Sequence, residues 1–102
     1  MKYYSLNRKA PIATFKEAVI SGIDPDKGLY FPVNRKPLDK GFFDQIEQLS
    51  NEEIGFRLIQ QFVDGEIPDQ RLKEIIKETL CFDFPLVKIY RDVFALELFH
   101  GP

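Results

Sequence analysis

Between Ser50 and Leu80 the apolar positions fall at helical spacing twice in succession. Ile54, Leu58 and Phe62 stand four apart on one stripe, with Ile59 and Val63 beside it. Ser50-Asn51-Glu52-Glu53 ahead of them has capping-box spacing. The Ser50 hydroxyl can accept from a free helical N–H, and the Glu53 carboxylate can reach back to the Ser50 N–H. Asp64-Gly65 ends that helix. Pro68 suits the first turn of the next one, where its missing N–H costs nothing, and Leu72, Ile75, Ile76 and Leu80 mark the buried face. A second capping box, Thr14-Phe15-Lys16-Glu17, opens a short helix carrying Phe15, Ala18 and Val19 and closing at Gly22. Phe42, Phe43, Ile46 and Leu49 predict a brief helix beginning near Asp39.

The strands are shorter. Lys2 to Leu6 reads as one, and Leu29-Tyr30-Phe31-Pro32 as another, stopped by proline. Leu86-Val87-Lys88-Ile89-Tyr90 and Phe94-Ala95-Leu96-Glu97-Leu98 flank Arg91-Asp92-Val93, most simply as a hairpin. The order is strand, helix, strand, three helices, hairpin. It predicts an α+β fold: a helix-rich small domain with short strands, a mixed or antiparallel sheet and a C-terminal β-hairpin. One core is expected from Phe15, Val19, Leu29, Leu58, Phe62, Leu72, Ile76 and Leu96.

A length of 102 residues matches one domain with a modest core, so 1–102 is read as a single domain. The net charge of −2 offers no basic surface of the kind nucleic acid requires. Cys81 is the only cysteine, which excludes an internal disulfide, and its place between Leu80 and Phe82 predicts a small buried hydrophobe. His100 is the only histidine, so neither a histidine pair for zinc nor a choice of Ser-His-Asp sets exists. Asp24-Pro25-Asp26-Lys27-Gly28 has two close carboxylates but lacks the later glutamate of a calcium loop; it reads as a turn. No metal site is expected. No apolar run reaches the roughly 20 residues that span a bilayer, and Met1 to Lys9 contains no apolar signal core, so a cytoplasmic protein with no membrane partner is the expectation.

Three segments resemble threonine synthases that bear an extra N-terminal domain. Phe15-Lys16-Glu17-Ala18-Val19-Ile20-Ser21-Gly22, followed by Asp26-Lys27-Gly28-Leu29-Tyr30-Phe31-Pro32, is similar to the family's Phe-x-x-Ala-Val-x-x-Gly and Gly-Leu-Tyr/Phe-x-Pro pattern. Asp64-Gly65-Glu66-Ile67-Pro68 is similar to its interhelical junction. Leu96-Glu97-Leu98-Phe99-His100-Gly101-Pro102 resembles the segment leading into the lysine that carries pyridoxal 5'-phosphate. The matches come in the family's order along essentially the whole chain.

The resemblance implies a fold-type II enzyme that converts O-phospho-L-homoserine and water to L-threonine and phosphate, with the cofactor as electron sink. It also implies that the cofactor lysine lies just beyond Pro102. On that basis no catalytic residue is expected in this chain, which would be an inactive fragment, truncated before its catalytic domain and carrying no cofactor of its own. In the parent, His100, Gly101, Pro102, Gly28 and Tyr30 are expected beside substrate or cofactor. His100 either faces the pocket or orients its turn, and packing against the hairpin explains Leu29 and Tyr30 at least as well as approach to the cleft. The implied partners are the catalytic domain and the small-molecule substrate. An alternative from another class is a free-standing protein-interaction domain derived from the same family.

Overall fold

The computed structural model describes residues 1–101. Its elements are β1 (Tyr3–Ser5), α1 (Phe15–Ser21), β2 (Tyr30–Pro32), α2 (Lys40–Asp44), a 3-10 turn (Ile46–Gln48), α3 (Asn51–Val63), α4 (Asp69–Thr79), β3 (Leu86–Tyr90) and β4 (Val93–Leu96). This is the expected α+β order. The strands form two separate antiparallel pairs, β1 with β2 and β3 with β4.

Both capping boxes form. At α1 the Glu17 N–H donates to Thr14 Oγ1 at 3.2 Å, and the Thr14 N–H donates to Glu17 Oε2 at 2.8 Å. At α3 the same exchange joins Ser50 and Glu53 at 3.1 and 2.8 Å. Asp39 caps α2 by accepting from the Phe42 N–H at 2.8 Å. The helix expected to run on to Leu49 breaks at Gln45 and resumes as the 3-10 turn. Asp64 ends α3 in the left-handed conformation at φ 50°, and Gly65 follows at φ 79°.

Two small apolar clusters stand where one core was expected. The first holds Tyr3, Ala13 and Ala18, with Met1, Phe15 and Tyr30 against it. The second holds Val63, Leu72 and Ile76 between α3 and α4, with Phe15, Phe56, Ile67 and Leu80 around them. Phe15 touches both and joins them. Gly55 lets the two helices approach closely: a Cβ there would meet Leu80 Cδ1 at 2.9 Å and Ile76 Cγ2 at 3.1 Å.

Leu72 and Ile76 are buried as expected, and Phe15 and Phe62 are partly buried. Val19, Leu29, Leu58 and Leu96 are not core residues; they are 41–61% exposed. Periodicity assigns residues to a common face, but burial needs a second element over that face. Only Ala18 is buried on α1, and the hairpin strands pack chiefly on each other. Cys81 is likewise exposed, because it lies past the end of α4 in the segment leading to β3.

Candidate functional site

The β3–β4 ladder pairs Leu86 with Leu96 and Val87 with Ala95, and shifts register between Lys88 and Tyr90. It continues one step beyond β4, where the Glu97 N–H donates to the Pro85 carbonyl at 3.0 Å. Glu97 therefore has a fixed backbone. Its carboxylate Oε2 lies 2.7 Å from His100 Nε2. A carboxylate only accepts, so Nε2 carries the proton of this hydrogen bond. The imidazole also meets the Phe99 ring, with centroids 4.5 Å apart and planes inclined by 37°.

His100 and Glu97 border a hollow of about 520 Å³ together with Asn51, Phe82, Asp83, Phe84 and Pro85. Phe82 and Phe84 meet edge to face at 6.1 Å and form an apolar wall. Asn51 and Asp83 add polar groups from the start of α3 and from the segment between α4 and β3. The arrangement can hold a polar ligand against one imidazole, one amide and two carboxylates. A second groove, of about 620 Å³, runs between α3 and α4, lined by Ile54, Leu58, Ile59, Ile75 and other apolar groups, and shares Asn51 and Phe84 with the first.

Gly28 sits in a different place. Asp24 is buried; its Oδ1 accepts from the Asp26 N–H at 3.2 Å. Asp26 Oδ1 accepts from the Gly28 N–H at 2.8 Å, while Oδ2 accepts from the Ser5 hydroxyl and from the Lys9 N–H. These bonds, led by that of Ser5, hold the Asp26 carboxyl below its ordinary range, partly offset by desolvation. The aspartates thus build the turn, as their sequence suggests. A Cβ on Gly28 would meet Asp26 Oδ1 at 2.8 Å and Asn7 Nδ2 at 3.2 Å, so close packing requires glycine. Tyr30 packs on the cluster around Tyr3 and Ala18, whereas Leu29 is largely exposed; packing against the hairpin explains neither residue.

The structure therefore groups the sequence-derived site residues unevenly. Gly28 and Tyr30 do not border the hollow at His100. Gly101 is exposed, and a Cβ there would meet nothing within 4 Å, so no contact among the described residues demands glycine. Pro102 lies outside the described residues. Asn51, Asp83 and the side-chain role of Glu97 were not singled out by sequence; the only local signal was a glutamate three residues before the sole histidine.

A lysine that holds pyridoxal phosphate as a Schiff base works from a desolvated, enclosed position. Every lysine in this chain is exposed. The residues present do not fit that role.

The family described as "Threonine synthase N terminus" matches residues 2–80. Threonine synthase of Haemophilus influenzae is 32% identical over 102 residues, covering all of this chain and 24% of the relative. That of Escherichia coli is 30% identical with the same coverage. The solved structure of pyridoxal-phosphate-bound threonine synthase from Brucella melitensis superposes on the whole chain with a TM-score of 0.90 at 32% identity, covering 23% of that protein. This chain spans about a quarter of the length of the curated relatives it matches. The capped helices, the Gly28 turn and the terminal hairpin are thus the parts of a shared fold, and the chain belongs to the threonine synthase N-terminus family.

Proposed function

We propose that residues 1–102 form the single N-terminal domain of a threonine synthase. The whole polypeptide converts O-phospho-L-homoserine and water to L-threonine and phosphate, working in the cytoplasm. The catalytic remainder carries pyridoxal phosphate, which supplies the electron sink when bound. This chain supplies structure and one wall of the substrate cleft, with His100 as the hydrogen-bonding group nearest the chemistry and Gly101 and Pro102 leading onward. Gly28 and Tyr30, which lie away from the His100 hollow, would approach substrate or cofactor separately, from the Asp24–Gly28 turn and the start of β2. By itself the chain is inactive and takes up no cofactor.

The observation that carries this reading is the hairpin. Leu86, Ile89, Val93, Phe94 and Leu96 expose apolar side chains from both strands. Contiguous exposed apolar side chains of this kind mark an interaction surface, and an isolated two-stranded hairpin is marginal in water. Similarity to enzymes four times as long supplies a cover: the catalytic domain. Among the described residues no helix is long and apolar enough to cross a membrane.

The test is complementation in trans. The Haemophilus influenzae enzyme is made without its matching N-terminal quarter, and phosphate release from O-phospho-L-homoserine is followed with and without this chain. Restored release is expected. A chain that binds the catalytic remainder and restores nothing would instead support the free-standing interaction domain. A separate control treats this chain alone with cofactor and borohydride. A stoichiometric adduct on one lysine would overturn the claim that it takes up none.

A further inference from the structure

We infer that Glu97 is the positioning residue for His100. The inference deepens the proposed function, since it rests on His100 being the group that this chain presents to the cleft. Three observations converge on it. The Glu97 backbone is pinned to Pro85 by the last rung of the hairpin ladder. Its carboxylate then stands 2.7 Å from His100 Nε2. The Phe99 ring packs against the imidazole, which borders the hollow together with Asp83, Phe82 and Phe84.

The chemical consequence is a choice of tautomer. A neutral imidazole has one N–H and one lone-pair nitrogen, and whichever bond one nitrogen makes decides what the other can do. With Nε2–H committed to Glu97, Nδ1 becomes the acceptor available to a ligand. The same nitrogen becomes a donor when the ring is protonated. Glu97 thus acts on substrate through His100 and touches no reacting atom. The carboxylates bordering the hollow are Glu97 and Asp83, and of the two only Glu97 is bonded to the ring. The hairpin is the lever: its register sets where Glu97 stands, and Glu97 sets the ring.

The experiment is nuclear magnetic resonance on the ¹⁵N-labelled 102-residue chain with E97A and E97Q, at a pH of about 8, above the ordinary imidazole pKa. In the parent chain the ring should be a single species protonated at Nε2, with fixed contacts to Phe99. E97A should speed exchange of the Nε2 proton with water at least about tenfold and average the Phe99 contacts. E97Q, whose amide oxygen still accepts, should restore both; a merely structural glutamate at the end of a strand would give no such rescue. Unchanged ring signals in E97A would overturn the assignment, and so would a parent ring protonated at Nδ1 or an E97Q ring as free as that of E97A. If E97A loses its hairpin signals, E97Q alone decides. These readouts need no catalysis, so a failed complementation and a failed clamp are distinguishable.

Discussion

The Tyr3 hydroxyl donates to the main-chain carbonyl of Phe62 at 2.6 Å, tying β1 to the last turn of α3 across almost 60 residues of sequence. The carbonyl is one of the four that a helix leaves without partners at its C-terminal end. Burial, and behind it the charges of Glu66 and Asp64, push the phenol pKa up, so the donor keeps its proton throughout the physiological range. Three further links run alongside. The Met1 ammonium pairs with Asp64. Glu66 accepts from the main-chain N–H groups of Phe15 and Lys16 at 2.9 and 3.2 Å.

Tyr3→Phe removes the long-range bond and keeps the ring that packs on Phe15. The expected cost is about 0.5–1.5 kcal/mol, read from urea melts. A loss above about 3 kcal/mol would mean that the ring, and not the hydroxyl, carries the link.

Glu66→Ala should unfasten α1 from the α3–α4 pair. Removing a helix-capping acceptor costs about 0.5–2 kcal/mol. Hydrogen exchange should show Phe15 and Lys16 amides losing protection while Ile76 keeps its own. Equal loss at all three positions would show global destabilisation instead of local release of α1.

The Asp26 network makes stability sensitive to acid. Its carboxyl is held below its ordinary value of 3.8, so ionised Asp26 favours the folded state. That contribution is complete above the unfolded pKa and disappears as pH falls from there through the lower, folded value. Asp64, lowered chiefly by its hydrogen bond to the Met1 ammonium and then by the ammonium's charge, adds in the same direction and window. Urea midpoints measured from pH 6 down to pH 2 should therefore fall less steeply for Asp26→Asn than for the parent chain. Parallel curves would sink this account.

Ile76→Ala opens space between α3 and α4 and should cost about 2–5 kcal/mol. Leu58→Ala, on the groove lip and 41% exposed, should cost clearly less. Lys73→Ala loses only a cation over the Phe56 ring at 4.9 Å and should stay near 0.5 kcal/mol. Equal effects for Ile76 and Leu58 in urea would mean that the groove is closed in solution.

Phe99 is 78% exposed and continues the apolar surface of the hairpin. Such a patch favours association, and the unpaired strand edges add to it. Sedimentation should show weak, concentration-dependent association of this chain that Phe99→Ser reduces. A strict monomer at all concentrations would show that the hairpin needs no cover.

Local chemistry was legible in the sequence wherever a residue acts on near neighbours. Thr14 with Glu17, Ser50 with Glu53, Asp39, and the Asp24–Gly28 turn all satisfy backbone groups within a few residues, so their spacing determined helix starts and a turn without reference to the rest of the chain. The antiparallel hairpin and the helix faces of Leu72 and Ile76 followed from periodicity for the same reason. What only the tertiary structure decided was coverage and convergence. Val19, Leu58 and Leu96 have the pattern of core residues but lie on faces that the described elements leave largely open. The Tyr3 and Glu66 bonds, and the meeting of Asn51 and Asp83 with the Glu97–His100 pair, join groups that are distant in sequence or fixed by backbone path. Such encounters depend on how the chain returns upon itself, which local spacing does not encode.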